Sequence, residues 1–71
     1  MAVAKVIEIS ATSEESFEDA VKRGIERASQ TVDDICGVWV KEQHVDVEDG
    51  KIVDYRVDLK VTFMLHEKSA G

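Results

Sequence analysis

A single cysteine, Cys36, stands among the 71 residues of this chain, so no internal disulfide framework is available, and no cysteine and histidine spacing of a structural zinc site accompanies it. There are only two histidines, His44 and His66. Neither lies at a motif spacing from a nucleophile or an orienting carboxylate, so no catalytic dyad or triad can be drawn. The four glycines, Gly24, Gly37, Gly50 and Gly71, are isolated, which leaves no phosphate-cradling loop. Basic residues are also short: nine lysines and arginines face fifteen aspartates and glutamates, for a formal net charge of −6. Without a basic patch the chain lacks the electrostatic footprint of a nucleic-acid binder. The opening MAVAKVIEIS holds no apolar run long enough for a signal peptide or a membrane span. The expectation is a soluble, cytoplasmic protein with one reduced thiol, no membrane or nucleic-acid partner and no turnover.

A chain this short is one domain, close to the size below which burial alone rarely stabilises a fold. With disulfides and structural zinc excluded, association with further copies of itself is the remaining source of buried area.

What is present reads as four elements. VAKVIEIS, Val3 to Ser10, is short and β-branched, with Ile7 and Ile9 on one side, as a strand requires. ATSEESFEDAVKRGIERASQTV opens on Thr12 and Ser13, either of which can cap a helix, and Thr12 with Glu15 matches a capping box. Glu14, Glu15, Glu18 and Asp19 crowd the expected first turns, where the helix dipole favours acids. Phe17, Val21, Ile25, Ala28 and Val32 form one apolar stripe, with Lys22, Arg23, Glu26 and Arg27 opposite, the pattern of a helix with one buried face. Cys36, after Ile35, reads as a small buried filler.

Asp49-Gly50 is the dipeptide of a two-residue hairpin turn, in which both central positions need positive φ. Beyond it Val53, Tyr55, Val57, Leu59, Val61, Phe63 and Leu65 alternate with polar or smaller residues, one face apolar and the other polar. A two-residue turn pairs Glu48 with Lys51. Counting outward sets Val40 opposite Leu59, Val38 opposite Val61 and His44 opposite Tyr55 on the apolar face. The outer face then collects Gly37 with Thr62, Trp39 with Lys60, Lys41 with Asp58, Gln43 with Arg56 and Val45 with Asp54. Lys41 and Asp58 make a sensible cross-strand ion pair. The run from Val53 to Leu65 would span roughly 43 Å at ~3.3 Å per residue, whereas a helix of about 20 residues is only about 30 Å long. The hairpin must overhang, and an overhanging apolar hairpin normally finds cover on a neighbouring copy.

Trp39, the only tryptophan, falls on the outer face. A large aromatic side chain there marks either a subunit interface or a ligand platform. Arg56 suits a phosphate or a ring carbonyl, or an ion pair with Asp54 or Asp58. Gln43 offers donor and acceptor together. Glu42, His44, Asp46 and Glu48 form a string of hard ligands, but neighbours two apart on a strand lie about 6 to 7 Å from each other. They would meet one cation only with help from another chain, so a solvated acidic edge is favoured over a metal site.

The order β-α-β-β, the opening KVIEISATSEESFEDAVKRGIERASQTVDDI, the hairpin closed by EDGK and the ending YRVDLKVTFML together resemble the dodecins from about Val3 to Leu65. The resemblance implies an α+β fold: a βαββ subunit whose three-stranded antiparallel sheet partly wraps one helix, assembled as a hollow dodecamer. It implies a domain over 1–67 and a short flexible tail over 68–71. It also implies a non-catalytic store that sequesters a flavin, riboflavin or FMN, between subunits of a homododecamer, stacked on a tryptophan. Aligned on TVDDI and on Tyr55, the family's stacking tryptophan falls on Gly37, and the glutamine that bonds the polar edge of the isoalloxazine falls on Arg56. Trp39 lies two residues along, about 6 to 7 Å away. The expected flavin site is therefore Gly37, Trp39, Gln43 and Arg56. The chain is similar to a subgroup without the usual tryptophan, for which a cage holding a divalent cation such as calcium at Glu42, His44, Asp46 and Glu48, or no ligand, is the alternative.

Overall fold

The computed structural model describes residues 3–65; the expected tail at 68–71, and His66, lie outside the described residues. The order is β1 (Val3–Ser13), α1 (Phe17–Ala28), β2 (Ile35–Glu48) and β3 (Lys51–Leu65). All pairings are antiparallel and the strand order is β1-β3-β2. The last strand takes the centre, where its unbroken alternation lets it bond on both edges while keeping one face apolar. Val57, Leu59 and Val61 of β3 are fully buried together with Ala20 of α1. Ile7, Ile9 and Ala11 of β1, Phe17 and Val21 of α1, and Ile35 and Val38 of β2 pack round them. No described helix is long and apolar enough to cross a membrane.

The helix starts later than its capping signals suggest. Thr12 and Ser13 are still sheet residues, paired with Arg56 and Tyr55, so the cap passes to Ser16, whose hydroxyl accepts from the Asp19 amide at 2.9 Å. Glu14 and Glu15 consequently precede the helix, and Glu18 and Asp19 are the acids of its first turn. Val32 lies beyond its C-terminal end. The residues of α1 closest to the sheet are small: Ala20, Gly24 and Ala28 are its buried positions. A Cβ at Gly24 would stand 2.9 Å from Leu59 Cδ1 and 3.2 Å from Ala11 Cβ, so the close approach of helix to sheet depends on its absence.

Ser13 joins strand to helix. Its buried hydroxyl accepts from the Glu15 amide at 2.9 Å and donates to Asp19 Oδ2 at 2.6 Å, and Asp19 also receives the Arg23 Nε at 2.6 Å. The Ser13 hydroxyl, and then the Arg23 guanidinium, hold the Asp19 carboxyl below its ordinary value. We expect Ser13→Ala to cost about 1–2 kcal/mol in chemical denaturation, because two polar partners lose their hydrogen bond at once. The sign of the acid response follows from the lowered carboxyl. The contribution is present above the unfolded aspartate value and is lost as pH falls through the lower folded one. Asp19→Asn should flatten that acid limb; a limb of unchanged slope would show that other carboxyls carry it.

The hairpin tip is as the dipeptide requires, with Asp49 at φ 52° and Gly50 at φ 74°. Glu48 pairs with Lys51, and further in Val40 pairs with Leu59, Trp39 with Lys60, Val38 with Val61 and Gly37 with Thr62, the register counted from the turn. Between these ends the register differs by one. Lys41 is an extra residue on β2 between Val40 and Glu42, and Val53 is an extra residue on β3 that cancels it. In that window Glu42 faces Asp58, Gln43 faces Val57, His44 faces Arg56, Val45 faces Tyr55 and Asp46 faces Asp54. Because side chains alternate with period two, the bulge exchanges the faces of β2 from Glu42 to Glu48 relative to a straight count, and the extra residue on β3 does the same for Ile52 and Lys51 while restoring their partners. A third irregularity sets Cys36 out of the ladder between Ile35 and Gly37. Cys36 is accordingly exposed, with its thiol donating to the Thr62 carbonyl, rather than a buried filler.

The described chain measures 61 × 19 × 13 Å, and the twelve residues of α1 cover only about 18 Å of that length. Phe17 meets Tyr55 edge to face at a centroid distance of 5.1 Å and closes the covered end. Past it Val47 and Ile52 remain 55% and 51% exposed, so the expected overhang is present.

Candidate functional site

The outer face of the sheet gathers its side chains from all three strands. From β3 come Arg56, Asp58, Lys60 and Thr62. Their partners on β1 are Thr12, Ser10, Glu8 and Val6. On β2, Gly37 and Trp39 lie across from Thr62 and Lys60, while the bulge at Lys41 brings Glu42 and His44 onto the same face across from Asp58 and Arg56.

Trp39 is the most exposed large apolar side chain of the described residues, at 73%. Gly37 stands two residues away on the same face, and a Cβ there would meet nothing within 4 Å. Trp39 therefore presents its ring to the outside next to open backbone, with the Lys60 stem across the ladder. Such a surface offers a flat apolar plane inside a charged perimeter.

That perimeter is wired differently from the sequence expectation. Lys41, displaced by the bulge, reaches over β3 to Glu8 of β1 at 3.3 Å instead of pairing with Asp58. Asp58 is taken by its own β1 neighbour, accepting from the Ser10 hydroxyl. Glu8, Ser10, Lys41 and Asp58 line a hollow of about 290 Å³. Glu8 and Ser10 are members of this face that the hairpin alone cannot reveal, although the alternation of Ile7, Glu8, Ile9 and Ser10 already separates them from the core side.

Arg56 donates to Asp46 Oδ2 at 3.3 Å, and His44 Nε2 lies 3.1 Å from Asp46 Oδ1. The expected Arg56 partners, Asp54 and Asp58, are replaced by Asp46 because the bulge sets His44 opposite Arg56 and Asp46 beside it. Of the four expected flavin residues, Gly37, Trp39 and Arg56 share the outer face. Gln43 does not. It pairs with Val57 and so belongs to the helix side of the sheet, where the overhanging hairpin leaves it exposed. The bulge has the opposite effect on the expected cation ligands. Glu42, His44, Asp46 and Glu48 move from the apolar face to the outer one, although no group of three or more such side chains among the described residues is arranged to hold a metal ion.

Comparison with known proteins adds ancestry to this geometry. The family model described as Dodecin matches residues 3–66. Calcium dodecin of Mycobacterium tuberculosis (strain ATCC 25618 / H37Rv) is 40% identical over 65 residues, 92% of each chain. Its crystal structure, described as having a novel calcium-binding site, matches with a TM-score of 0.78 over 97% of this chain and 99% of that one. Dodecin from Streptomyces davaonensis matches with a TM-score of 0.88 at 36% identity, covering 93% of this chain and 97% of that one. The tt0972 protein from Thermus thermophilus gives 0.90 at 32% identity over 96% and 100% of the two chains.

Proposed function

The chain belongs to the dodecin family, and from that premise we propose that it binds a flavin, riboflavin or FMN, on the outer face of its sheet where copies of the chain meet, storing the ligand without transforming it. The observation that carries this reading is the 73% exposure of Trp39 on a strand face beside the open position at Gly37. Free apolar ring surface of this size is unfavourable in water and is relieved by a flat partner. The isoalloxazine is such a partner, apolar on its faces and polar at its edge. Trp39 supplies the plane, Gly37 the room beside it, and Arg56 N–H donors for the ring carbonyls or a phosphate. Gln43 has no part, since the bulge turns it to the other side. A dodecameric shell is consistent with the uncovered apolar overhang of the hairpin.

The second reading is calcium, motivated by the relative that bears the name calcium dodecin. Calcium takes six to eight oxygen ligands at about 2.3–2.6 Å. Here Asp46 accepts from the Arg56 guanidinium on one oxygen and has His44 Nε2 at 3.1 Å from the other, and the guanidinium charge competes with a metal. Flavin is therefore favoured for this chain. The test is a titration of the flavin-stripped, chelator-treated protein with riboflavin and with FMN, followed by flavin fluorescence, and a parallel calcium titration by calorimetry. We expect saturable quenching and no calcium heat. A calcium isotherm from protein that leaves flavin fluorescence unchanged would replace the first reading with the second.

A further inference from the structure

The outer face is laid out in rows that cross all three strands. Trp39 of β2, Lys60 of β3 and Glu8 of β1 form one row. The next row toward the turn holds Glu42, Asp58 and Ser10, about 6 to 7 Å along the strands. Across these two rows lies the hollow of about 290 Å³ lined by Glu8, Ser10, Lys41 and Asp58. Its polar groups are only partly used. Asp58 accepts from Ser10 on Oδ1 and Glu8 accepts from Lys41 on Oε1, and among the described residues neither carboxylate has a partner on its second oxygen. The Lys41 ammonium gives one donor to Glu8 and keeps its others. The acids Glu8 and Asp58 are balanced by Lys41 and by Lys60, which stands across from Glu8.

Spare acceptors and spare donors side by side suit a ligand rich in hydroxyl groups, each of which both donates and accepts. A bare cation meets the Lys41 ammonium here, and a bare anion meets two carboxylates, so neither fits as well as a neutral polyol. We infer that the hollow is the subsite for the ribityl chain of the flavin, which runs along the strands from the ring on Trp39 toward the turn. This rests on the reading that a flavin stacks on Trp39. The order of groups on the face then follows the order of groups in the ligand. Trp39 takes the ring and the hollow takes the hydroxyls. Arg56, one row beyond Asp58 on β3, meets the phosphate that FMN carries at the end of the chain. Of the two roles open to Arg56, this orientation selects the phosphate over the ring carbonyls.

The test compares riboflavin and FMN with lumiflavin, which has the same ring and a methyl group in place of the ribityl chain, by fluorescence titration of the flavin-stripped full chain. The parent is expected to hold riboflavin roughly 10-fold or more tighter than lumiflavin, as two or more net hydrogen bonds provide. Glu8→Ala and Asp58→Ala should each weaken riboflavin by roughly 2- to 13-fold, the range of one net hydrogen bond, and leave lumiflavin unchanged. Arg56→Ala should weaken FMN by at least the same range and spare riboflavin. Should either carboxylate variant differ from the parent in circular dichroism, Ser10→Ala at an exposed position takes its place, with the same split expected. Equal parent affinity for lumiflavin and riboflavin would overturn the inference and leave Trp39 as the platform. Variants that weaken lumiflavin and riboflavin alike would overturn it too, as would loss of riboflavin in Arg56→Ala, which reverses the orientation. Binding of none of the three flavins would instead remove the flavin reading, and the subsite with it.

Discussion

Trp39→Ala is expected to weaken flavin binding by roughly 5- to 150-fold, the range set by about 1–3 kcal/mol for stacking a heteroaromatic ring on an aromatic side chain. The change is a clean one because Trp39 is 73% exposed and contributes nothing to the buried cluster. Surface substitutions of this kind usually alter stability by no more than about 0.5 kcal/mol, so circular dichroism should be unchanged. Trp39→Phe keeps a ring of smaller area and should fall between the two. A double variant, Gly37→Trp with Trp39→Ala, moves the plane two residues along the strand into space where a Cβ meets nothing within 4 Å, and should recover part of the affinity. Flavin fluorescence titration of the four proteins reads all of this. Equal affinity in the parent and in Trp39→Ala would remove Trp39 as the platform.

The second large effect concerns the fold. Leu59→Ala should destabilise the chain by about 2–5 kcal/mol. Leu59 is fully buried in the middle of the central strand, between Ile9 and Val40, and its Cδ1 lies against the site of Gly24. Sheet and helix both lose contacts when it is shortened to a methyl, and the cavity left behind adds to the lost transfer free energy. Native domains have only about 0.05–0.15 kcal/mol per residue in hand, so in a chain of 71 residues this loss is a large share of the total. Urea denaturation at several protein concentrations would separate the intrinsic loss from the stabilisation that assembly adds. A loss below about 1 kcal/mol would mean that the helix moves in and closes the cavity.

The familiar residue signals of this chain were informative where they were local. Asp49-Gly50 predicts a turn with two positive φ values, and both occur. The alternation from Tyr55 to Phe63 predicts a half-buried strand, and Val57, Leu59 and Val61 form its buried row. The stripe through Phe17 and Val21 predicts a helix with one buried face, though the positions pressed closest to the sheet are Ala20, Gly24 and Ala28. Small residues carry little hydrophobic weight and are easily passed over, yet close packing selects them. The helix starts later than its first capping signals for a related reason. Thr12, Ser13 and Ser16 can all cap, and what removes the first two is their pairing with Arg56 and Tyr55 on a strand far away in the chain.

The candidate site shows the same division at higher cost. Counting from the turn places Trp39, Gly37 and Arg56 on one face, and the structure has them there. Gln43 and the string Glu42, His44, Asp46 and Glu48 exchange faces because of one residue, Lys41. The segment from Lys41 to His44 is polar throughout, so its pattern fits either face and carries no mark of the bulge. The compensating extra residue at Val53 restores the register at the tip, which hides the shift from any count made at the two ends.

By itself, then, the order of residues determined the element types, the tight turn, the apolar row of β3 and the position of Trp39 outside the core, since each depends on neighbours a few residues apart. Only the tertiary structure decided that β1 bonds to β3, that Lys41 leaves the ladder to reach Glu8, and that Asp46 holds both Arg56 and His44. The first two are pairings between segments far apart in the chain, the third follows from the bulge that sets His44 opposite Arg56 within the hairpin, and no local periodicity encodes them.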